Sequence, residues 1–174
     1  IADLNGGGVS LEDGEDRYIA GQAVPKALLG SNISFRYKMV DVSVQVNGAF
    51  GHKIYNGTSL TYMNMNIFPD YNVMKGAPEQ NIKDQTATDY WLEKGDYVNL
   101  DYLTVGWNVP VNSVKKYIQS LRLSFTVNNL ATITGYSGLS PMVNSSSVNS
   151  TLGVDDKRSY PLARTYTFGL SINF

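Results

Sequence analysis

The 174-residue chain contains no cysteine and a single histidine, His52. Without cysteine it has no disulfide, no thiolate zinc site, no iron–sulfur cluster and no thiol nucleophile. A metal site needs three or more ligands, and the neighbours Gly51 and Lys53 offer none, so we expect His52 to be an exposed loop residue. The adjacent carboxylates Asp155 and Asp156 point apart in an extended chain and do not form the facing pair of a glycosidase. These features do not support an enzyme.

Charge is also scarce. Charged residues make up 17% of the chain, with 14 Lys and Arg against 15 Asp and Glu, whereas an ordinary soluble domain has roughly 25%. A nucleic-acid partner is not expected, because phosphate binding needs clustered Lys and Arg. No run of about 18 apolar residues exists, which excludes membrane helices but not membrane strands, since these alternate apolar and polar residues. The 12 Tyr and 16 Gly favour β-structure.

Apolar residues recur at every second position in five segments, as expected of β-strands. The first segment covers residues 32–38, and its apolar residues stand at odd-numbered positions. The second covers residues 40–50, directly after Met39, and its apolar residues begin at even-numbered positions, which is an inverted parity. This inversion is typical of a tight hairpin whose two strands share one apolar surface.

The third predicted strand covers residues 97–109 and ends at Pro110, which cannot donate to a strand ladder. Its first half, with Val98, has the opposite parity to its second half, with Val105, and this predicts a bulge near Asp101 and Tyr102. The fourth strand begins at Leu121, and the fifth closes the chain.

The sequence therefore predicts an all-β fold, an antiparallel up-and-down meander of about five strands. Its short connections should lie at one end of the sheet and its long loops at the other. The predicted parts are an external loop region (1–31), a hairpin (32–50), a long loop (51–94), a second hairpin (95–127), a second long loop (128–162) and a terminal strand (163–174). Within the first long loop, residues 58–66 could form a short element, since structureless stretches of this length are uncommon. This one-sided arrangement is found in outer-membrane barrels, and a soluble sandwich can also show it.

The last strand carries a polar residue, a glycine two positions later and hydrophobic residues five and seven positions later: Thr167, Gly169, Ile172 and Phe174. This pattern resembles the signal by which barrel proteins are read by the outer-membrane assembly machinery. Further blocks resemble the SusC/RagA-type TonB-dependent outer-membrane transporters. They are Tyr97-Val98-Asn99-Leu100, Thr104-Val105-Gly106-Trp107, Leu121-Arg122-Leu123, Asn128-Asn129-Leu130, Tyr136-Ser137-Gly138 and Arg164-Thr165-Tyr166-Thr167-Phe168-Gly169.

The resemblance implies a barrel of about 22 strands with an N-terminal plug, of which this chain would be the C-terminal segment. It implies a bacterial outer-membrane location in contact with lipid, and a SusD-like surface lipoprotein as partner. It also implies energy supply from TonB through parts absent from this chain, and uptake of a glycan or peptide substrate.

The resemblance also suggests site residues. The opening segment, with Asp3 and Asn5, resembles a calcium loop that many family members carry at this place, and Asp16 would supply the closing carboxylate. Gly7 stands where a further ligand is usual, and an apparent extra residue shifts Asp16, so a degenerate turn is the alternative.

Aromatic residues in the predicted loops are candidates for contact with a ligand or partner. Tyr90, Trp91 and Tyr136 would lie on the outward side, where flat rings can stack on a sugar or on a protein surface. The alternative role is an interfacial aromatic belt, or packing beneath the loops.

A soluble β-sandwich that binds carbohydrate or mediates adhesion is the principal alternative to the transporter. The two differ in the apolar face of the sheet, which a sandwich covers with a second sheet and a barrel leaves to lipid.

Overall fold

The computed structural model describes residues 3–4, 6–10, 12, 16–112, 117–143, 152–157 and 160–174. These fall into two compact units. The sheet unit comprises Lys26–Phe50, Asp96–Gly135 and Pro161–Phe174. The loop unit comprises the described residues of Ile1–Pro25, Gly51–Gly95 and Tyr136–Tyr160.

Eight strands and two short α-helices are formed by the described residues. The strands are β1 (Ala27–Tyr37), β2 (Val40–Phe50), β3 (Lys53–Asn56), β4 (Leu92–Lys94), β5 (Tyr97–Val109), β6 (Ser120–Thr134), β7 (Val154–Asp155) and β8 (Thr165–Asn173). The helices are α1 (Gly57–Tyr62) and α2 (Ala77–Gln80), and 3-10 turns occur at Met65–Ile67 and Asp89–Trp91. No helix of the described residues is long and apolar enough to cross a membrane.

The sheet unit is one antiparallel sheet in the order β1-β2-β5-β6-β8. Each of its strands pairs with the next one along the chain within this sheet, which confirms the predicted meander. Val40 pairs with Trp107, and Val109 pairs with Leu121. Both short connections therefore lie at one end of the sheet, and the long connections leave from the opposite end, as predicted.

One face of this sheet is apolar across all five strands. The pairing register places Phe35, Val42, Val105, Phe125 and Phe168 side by side in a single row. Phe125 and Phe168 lie 4.7 Å apart between ring centroids. Much of this face is exposed, with 65% of Phe35 and 82% of Phe168 accessible. A water-soluble domain would cover so large an apolar surface.

The opposite face is polar and internally hydrogen bonded. Ser34 lies 3.1 Å from Ser43, and Thr104 lies 2.8 Å from Thr126, between hydroxyl oxygens. The sheet therefore has one apolar and one polar face. The alternating sequence causes this difference, because neighbouring side chains point to opposite sides of a strand.

The predicted bulge is confirmed. Leu100 and Tyr102 of β5 each pair with residues of both neighbouring strands, β2 and β6, whereas Asp101 between them is unpaired. The extra residue reverses the alternation, so that Leu100 and Leu103 lie on the same face although their parity differs. Asp101 accepts hydrogen bonds from the side-chain amides of Asn47 and Asn99 on the polar face.

Two strands are longer than their alternation predicted. β1 begins at Ala27 rather than near residue 32, and β6 continues to Thr134 rather than ending near residue 127. The alternation in β6 fails because Asn129 takes a positive φ of 51° opposite the bulge. β1 and β8 are the edges of the sheet, each pairing on one side only within the described residues.

The first long loop is more structured than the sequence indicated. β3 pairs antiparallel with β4 and parallel with β7, which builds a small three-stranded sheet in the loop unit. The short element suggested for residues 58–66 corresponds to α1 and the 3-10 turn after it. The buried apolar cluster of this unit is Ile54, Tyr136 and Val143.

Candidate functional site

An open groove of about 450 Å³ lies in the loop unit. Its walls combine aromatic, amide, carboxyl and hydroxyl groups, from Gln80, Ile82, Asp84, Thr86, Thr88, Tyr90 and Trp91. Gln80 is the last residue of α2, and Tyr90 and Trp91 belong to the 3-10 turn that precedes β4. The segment between these two elements supplies the rest of the lining.

Tyr90 and Trp91 take opposite roles in this groove. Tyr90 is 63% exposed and Trp91 only 6%. Their rings meet edge to face, 4.8 Å apart between centroids at an interplanar angle of 86°, a geometry that aromatic pairs favour. The buried Trp91 ring therefore holds the exposed Tyr90 ring in place.

The turn that carries these rings is anchored from outside the groove. The Tyr18 hydroxyl donates to Asp89 Oδ2 at 2.7 Å, and Asp89 is the first residue of the turn. This hydrogen bond raises the pKa of Tyr18 above its ordinary value, because it favours the protonated phenol beside a carboxylate.

Polar groups line the same groove as the two aromatic rings. Asp84 accepts from the Thr86 backbone N–H at 3.1 Å and from the Thr86 hydroxyl at 2.6 Å. The Tyr90 hydroxyl lies 3.4 Å from Gln80 Oε1, at the outer limit of a hydrogen bond. A carboxylate and an amide beside a flat exposed ring can bind a ligand that has both an apolar face and hydroxyl or amide groups.

Tyr136 does not join this groove, and the structure corrects the expectation that all three aromatic candidates are exposed. Tyr136 is 5% exposed, and its hydroxyl donates to Asp155 Oδ2 at 2.7 Å. Burial, followed by this hydrogen bond, raises the pKa of Tyr136 far above its ordinary value. Trp91 is buried too, so packing, the alternative considered from the sequence, describes both residues.

Asp155 is a buried carboxylate that the sequence placed in an open loop. It is 2% exposed and also accepts from the Thr58 hydroxyl at 2.9 Å. These donors come from α1 and from Tyr136, the second residue after the end of β6. The carboxylate thus ties together segments that are distant along the chain.

A second buried network was also missed by sequence reasoning. The Asn56 side-chain amide, fully buried, donates to Glu93 Oε1 at 2.7 Å and to the Ser137 hydroxyl at 3.1 Å. Its carbonyl oxygen accepts from Ser59 N–H at 2.8 Å and caps α1. These partners are up to 81 residues apart, so no local pattern could indicate them.

His52 is buried, 8% exposed, and the expectation of an exposed loop histidine is wrong. It follows the turn at Gly51, which takes a positive φ of 78°. A Cβ at Gly95 would clash with the imidazole. Glycine at position 95 therefore gives the ring its space.

In the opening segment, the described residues include two of the three predicted calcium ligands, Asp3 and Asp16. Asp16, 7% exposed, accepts from Leu4 N–H at 2.6 Å and from Ser10 N–H at 2.8 Å. Asp3 accepts from Gly6 N–H at 2.5 Å. Asn5 lies outside the described residues, and among those described no group of three or more acidic or histidine side chains is arranged to hold a metal ion.

The polar face of the sheet unit carries an ion pair near the end with the short connections. Arg122 donates to both carboxylate oxygens of Asp41, at 2.6 and 2.7 Å, and its Nη1 lies 3.3 Å from Asn108 Oδ1. A Cβ at Gly106 would clash with the guanidinium. Glycine at that position therefore makes room for a paired, two-point contact.

The predicted assembly signal lies on β8 and just beyond it. Ile172 pairs with Leu121, and Gly169 pairs with Ser124. A Cβ at Gly169 would clash with the Ser124 hydroxyl. Thr167 is exposed, and Phe174 is 81% exposed at the end of the strand. Recognition by an assembly machinery stays a prediction.

Sequence comparison adds relatives that align along the whole chain. TonB-dependent receptor P3 of Formosa agariphila is 31% identical over 190 residues, an alignment that covers 100% of this chain and 19% of the receptor. TonB-dependent receptor SusC of Bacteroides thetaiotaomicron is 25% identical over 185 residues, covering 100% of this chain and 17% of SusC. The chain is homologous to TonB-dependent receptors, SusC among them. This confirms the family resemblance drawn from the sequence motifs.

Solved structures agree with this relationship at the level of the fold. The RagAB peptide importer in its closed-closed state superposes with a TM-score of 0.72 at 18% identity, over 90% of this chain and 18% of that chain. The RagAB peptide transporter gives a TM-score of 0.67 at 18% identity, over 83% and 17%. No family model matches the chain. This homologue of SusC spans about a fifth of the length of the curated relatives it matches.

Proposed function

We propose that this SusC homologue forms part of the wall of an outer-membrane, TonB-dependent transporter for nutrients. In this proposal the apolar face of the sheet unit contacts lipid and the polar face borders the barrel interior. The loop unit supplies external loops. The observation that carries the proposal is the two-faced single-layer sheet, in which exposed aromatic residues oppose a row of hydrogen-bonded hydroxyls.

The soluble sandwich explains this sheet less well. In a sandwich, the side chains of this apolar face, Phe35 and Phe168 included, would form the core. They would be buried between two sheets in a layer about 10 Å thick. Here both side chains are largely exposed, Phe35 at 65% and Phe168 at 82%. The named relatives are receptors and importers, which supports transport over an enzymatic role or adhesion.

The partners follow from the same relationship. We propose that a SusD-like surface lipoprotein delivers a glycan or a peptide, and that TonB supplies energy through parts of the transporter outside this chain. The structural neighbour is named as a peptide importer, whereas the name of SusC specifies no substrate. Calcium binding at Asp3 and Asp16 also stays a proposal, to be tested by calcium titration.

Spin labelling of the full-length transporter in lipid bilayers tests the wall. The chain has no cysteine, so this region adds no background to a label at a single introduced cysteine. Val105→Cys places the label on the apolar face and Thr104→Cys, its neighbour, on the polar face. We expect the label at 105 to collide more with oxygen, which concentrates in lipid, and the label at 104 to collide more with a water-soluble nickel chelate.

The two alternatives predict different results at these positions. Beneath a second protein sheet, the label at 105 would be protected from both reagents. Equal nickel access at both positions would place both faces in water. Either result would overturn the proposed barrel wall.

A further inference from the structure

The bulge in β5 presents a carboxylate on the polar face of the sheet unit. Counted from Leu103 on the apolar face, regular alternation would turn Asp101 to the apolar face as well, and the extra residue turns it to the polar face instead. There the side-chain amides of Asn47 and Asn99 each donate to one of its two oxygens. We propose that Asp101 binds an arginine from a part of the longer protein that lies against this polar face. The inference rests on the proposed wall function and gives that wall a contact partner.

The carboxylate of Asp101 is held in a fixed orientation. Asn99 is 1% exposed, and its carbonyl oxygen accepts from the Thr132 hydroxyl at 2.6 Å. The carbonyl oxygen of Asn47 accepts from the Gln45 amide at 3.2 Å. Each Asp101 oxygen keeps lone pairs after it has accepted one hydrogen bond. Two acceptors in a fixed plane match the paired N–H donors of a guanidinium better than the point charge of an ammonium.

Asp41 and Asp101, both on the polar face, differ in their partners. Asp41 is paired with Arg122 by two hydrogen bonds, whereas no Lys or Arg of the described residues forms an ion pair with Asp101. A metal ion is a poor alternative, because no group of three or more acidic or histidine side chains in the described part of the chain is arranged to hold one. A carboxylate that other protein covers is destabilising unless a cation pairs with it. The sheet therefore neutralises Asp41 itself and leaves the charge of Asp101 to another segment.

This partner has to approach from in front of the sheet. β5 is the central strand, with β2 and β1 on one side and β6 and β8 on the other. A strand added at either edge would lie three strand spacings from β5, about 14 Å, whereas long side chains of a sheet reach one another over about 7–8 Å. Neighbouring wall strands therefore do not supply the cation. This chain spans about a fifth of the length of its curated relatives, and in the proposal the arginine comes from the remainder.

Arginine modification of the full-length transporter in lipid bilayers tests the pair. Phenylglyoxal modifies accessible guanidinium groups, and mass spectrometry of the digested protein gives the rate at each arginine. In Asp101→Asn, we expect one arginine outside this chain to react about tenfold faster than in wild type, because it has lost a charged hydrogen-bond partner. Asp101→Glu keeps the carboxylate and should keep that arginine protected.

Asp41→Asn is the matched control, because it removes the same carboxylate from an ion pair within the sheet. We expect Arg122 to react faster in this variant, while the partner of Asp101 reacts as in wild type. Migration on gels before and after heating shows whether each variant has folded as a barrel. Asp101→Ser is a second neutral variant, which gives the same comparison if Asp101→Asn does not fold.

The proposal is overturned if no arginine outside this chain reacts faster in the neutral variants of Asp101. It is also overturned if the responding residue is Arg164, which donates to the Asn129 carbonyl oxygen at 3.3 Å, because the pair would then lie within this sheet. A lysine that becomes more reactive toward acetic anhydride would overturn the assignment of a guanidinium.

The outcome is separable from that of the proposed function. If the labels at 104 and 105 show a barrel wall and no arginine responds, the pairing of Asp101 alone fails. If the labels contradict the wall while an arginine responds, the wall alone fails, and the pair then joins the polar face to another layer of a soluble protein.

Discussion

The buried hydrogen bond between Tyr136 and Asp155 should contribute measurably to the stability of the loop unit. Tyr136→Phe removes only the hydroxyl group, whose O–H donates to Asp155 Oδ2 at 2.7 Å. Asp155 is 2% exposed and would keep its contacts with Thr58 and Lys157. A hydrogen bond to a charged acceptor contributes about 1.5–3 kcal/mol, so we expect the free energy of local opening to fall by that amount.

Tyr55→Phe is the matched control in the same unit. The Tyr55 hydroxyl is buried and has no hydrogen-bond partner among the described residues. Removing it eliminates the cost of a buried, unsatisfied group, which is about 1–3 kcal/mol. We therefore expect Tyr55→Phe to leave stability unchanged or to raise it, although the chemical change is identical.

Hydrogen exchange measured by mass spectrometry on the intact transporter resolves these effects. Peptides that contain β3 or β7 report opening of the small sheet that Tyr136 and Asp155 hold together. A loss of 1.5–3 kcal/mol corresponds to exchange about 10- to 150-fold faster in Tyr136→Phe. If exchange is unchanged in Tyr136→Phe, or rises equally in both variants, the assignment of Asp155 as an anchor is refuted.

Two further predictions follow from the same structure. Burial raises the pKa of Tyr136 and of Tyr55 above the ordinary value of 10.0, so ionising either phenol costs more in the folded loop unit than in the unfolded chain. These two groups therefore leave stability independent of pH below about pH 10 and lower it as pH rises above that value. Protection from exchange should fall in alkaline buffer, and less steeply in Tyr136→Phe; an equally steep fall would contradict this. Deletion of Phe174, or Phe174→Asp, should lower the amount of transporter in the outer membrane without changing the substrate affinity of the molecules that remain. Fractionation and blotting measure this, and equal abundance would count against the barrel.

Strand order and alternation were predictable because they are local properties of the chain. The parity change between Val98 and Val105 indicated a bulge near Asp101, and the register shows it there. The end of β6 was not predictable in the same way. Asn129 at positive φ interrupts the alternation, and only pairing with β5 beyond that point continues the strand.

The loop unit was mostly beyond the reach of sequence patterns, because its elements are joined by distant partners. β3 pairs with β7 across about 100 residues, and the hydroxyl of Tyr136 finds its acceptor in β7. Tyr90 and Trp91, predicted to contact a ligand or partner, both line the groove, and that contact stays a prediction. Which of the two rings faces solvent depended on the 3-10 turn, which their composition does not indicate.

The open edges of the sheet matter for handling the chain by itself. β1 and β8 each leave one row of backbone N–H and C=O groups unpaired within the described residues, next to exposed Phe35 and Phe168. Such an edge is a template on which further strands add, from another copy as readily as from the rest of a barrel. Produced alone in water, this segment would accumulate as intermolecular β-sheet, so work on its loops calls for detergent from the first refolding step or for the intact barrel as their carrier.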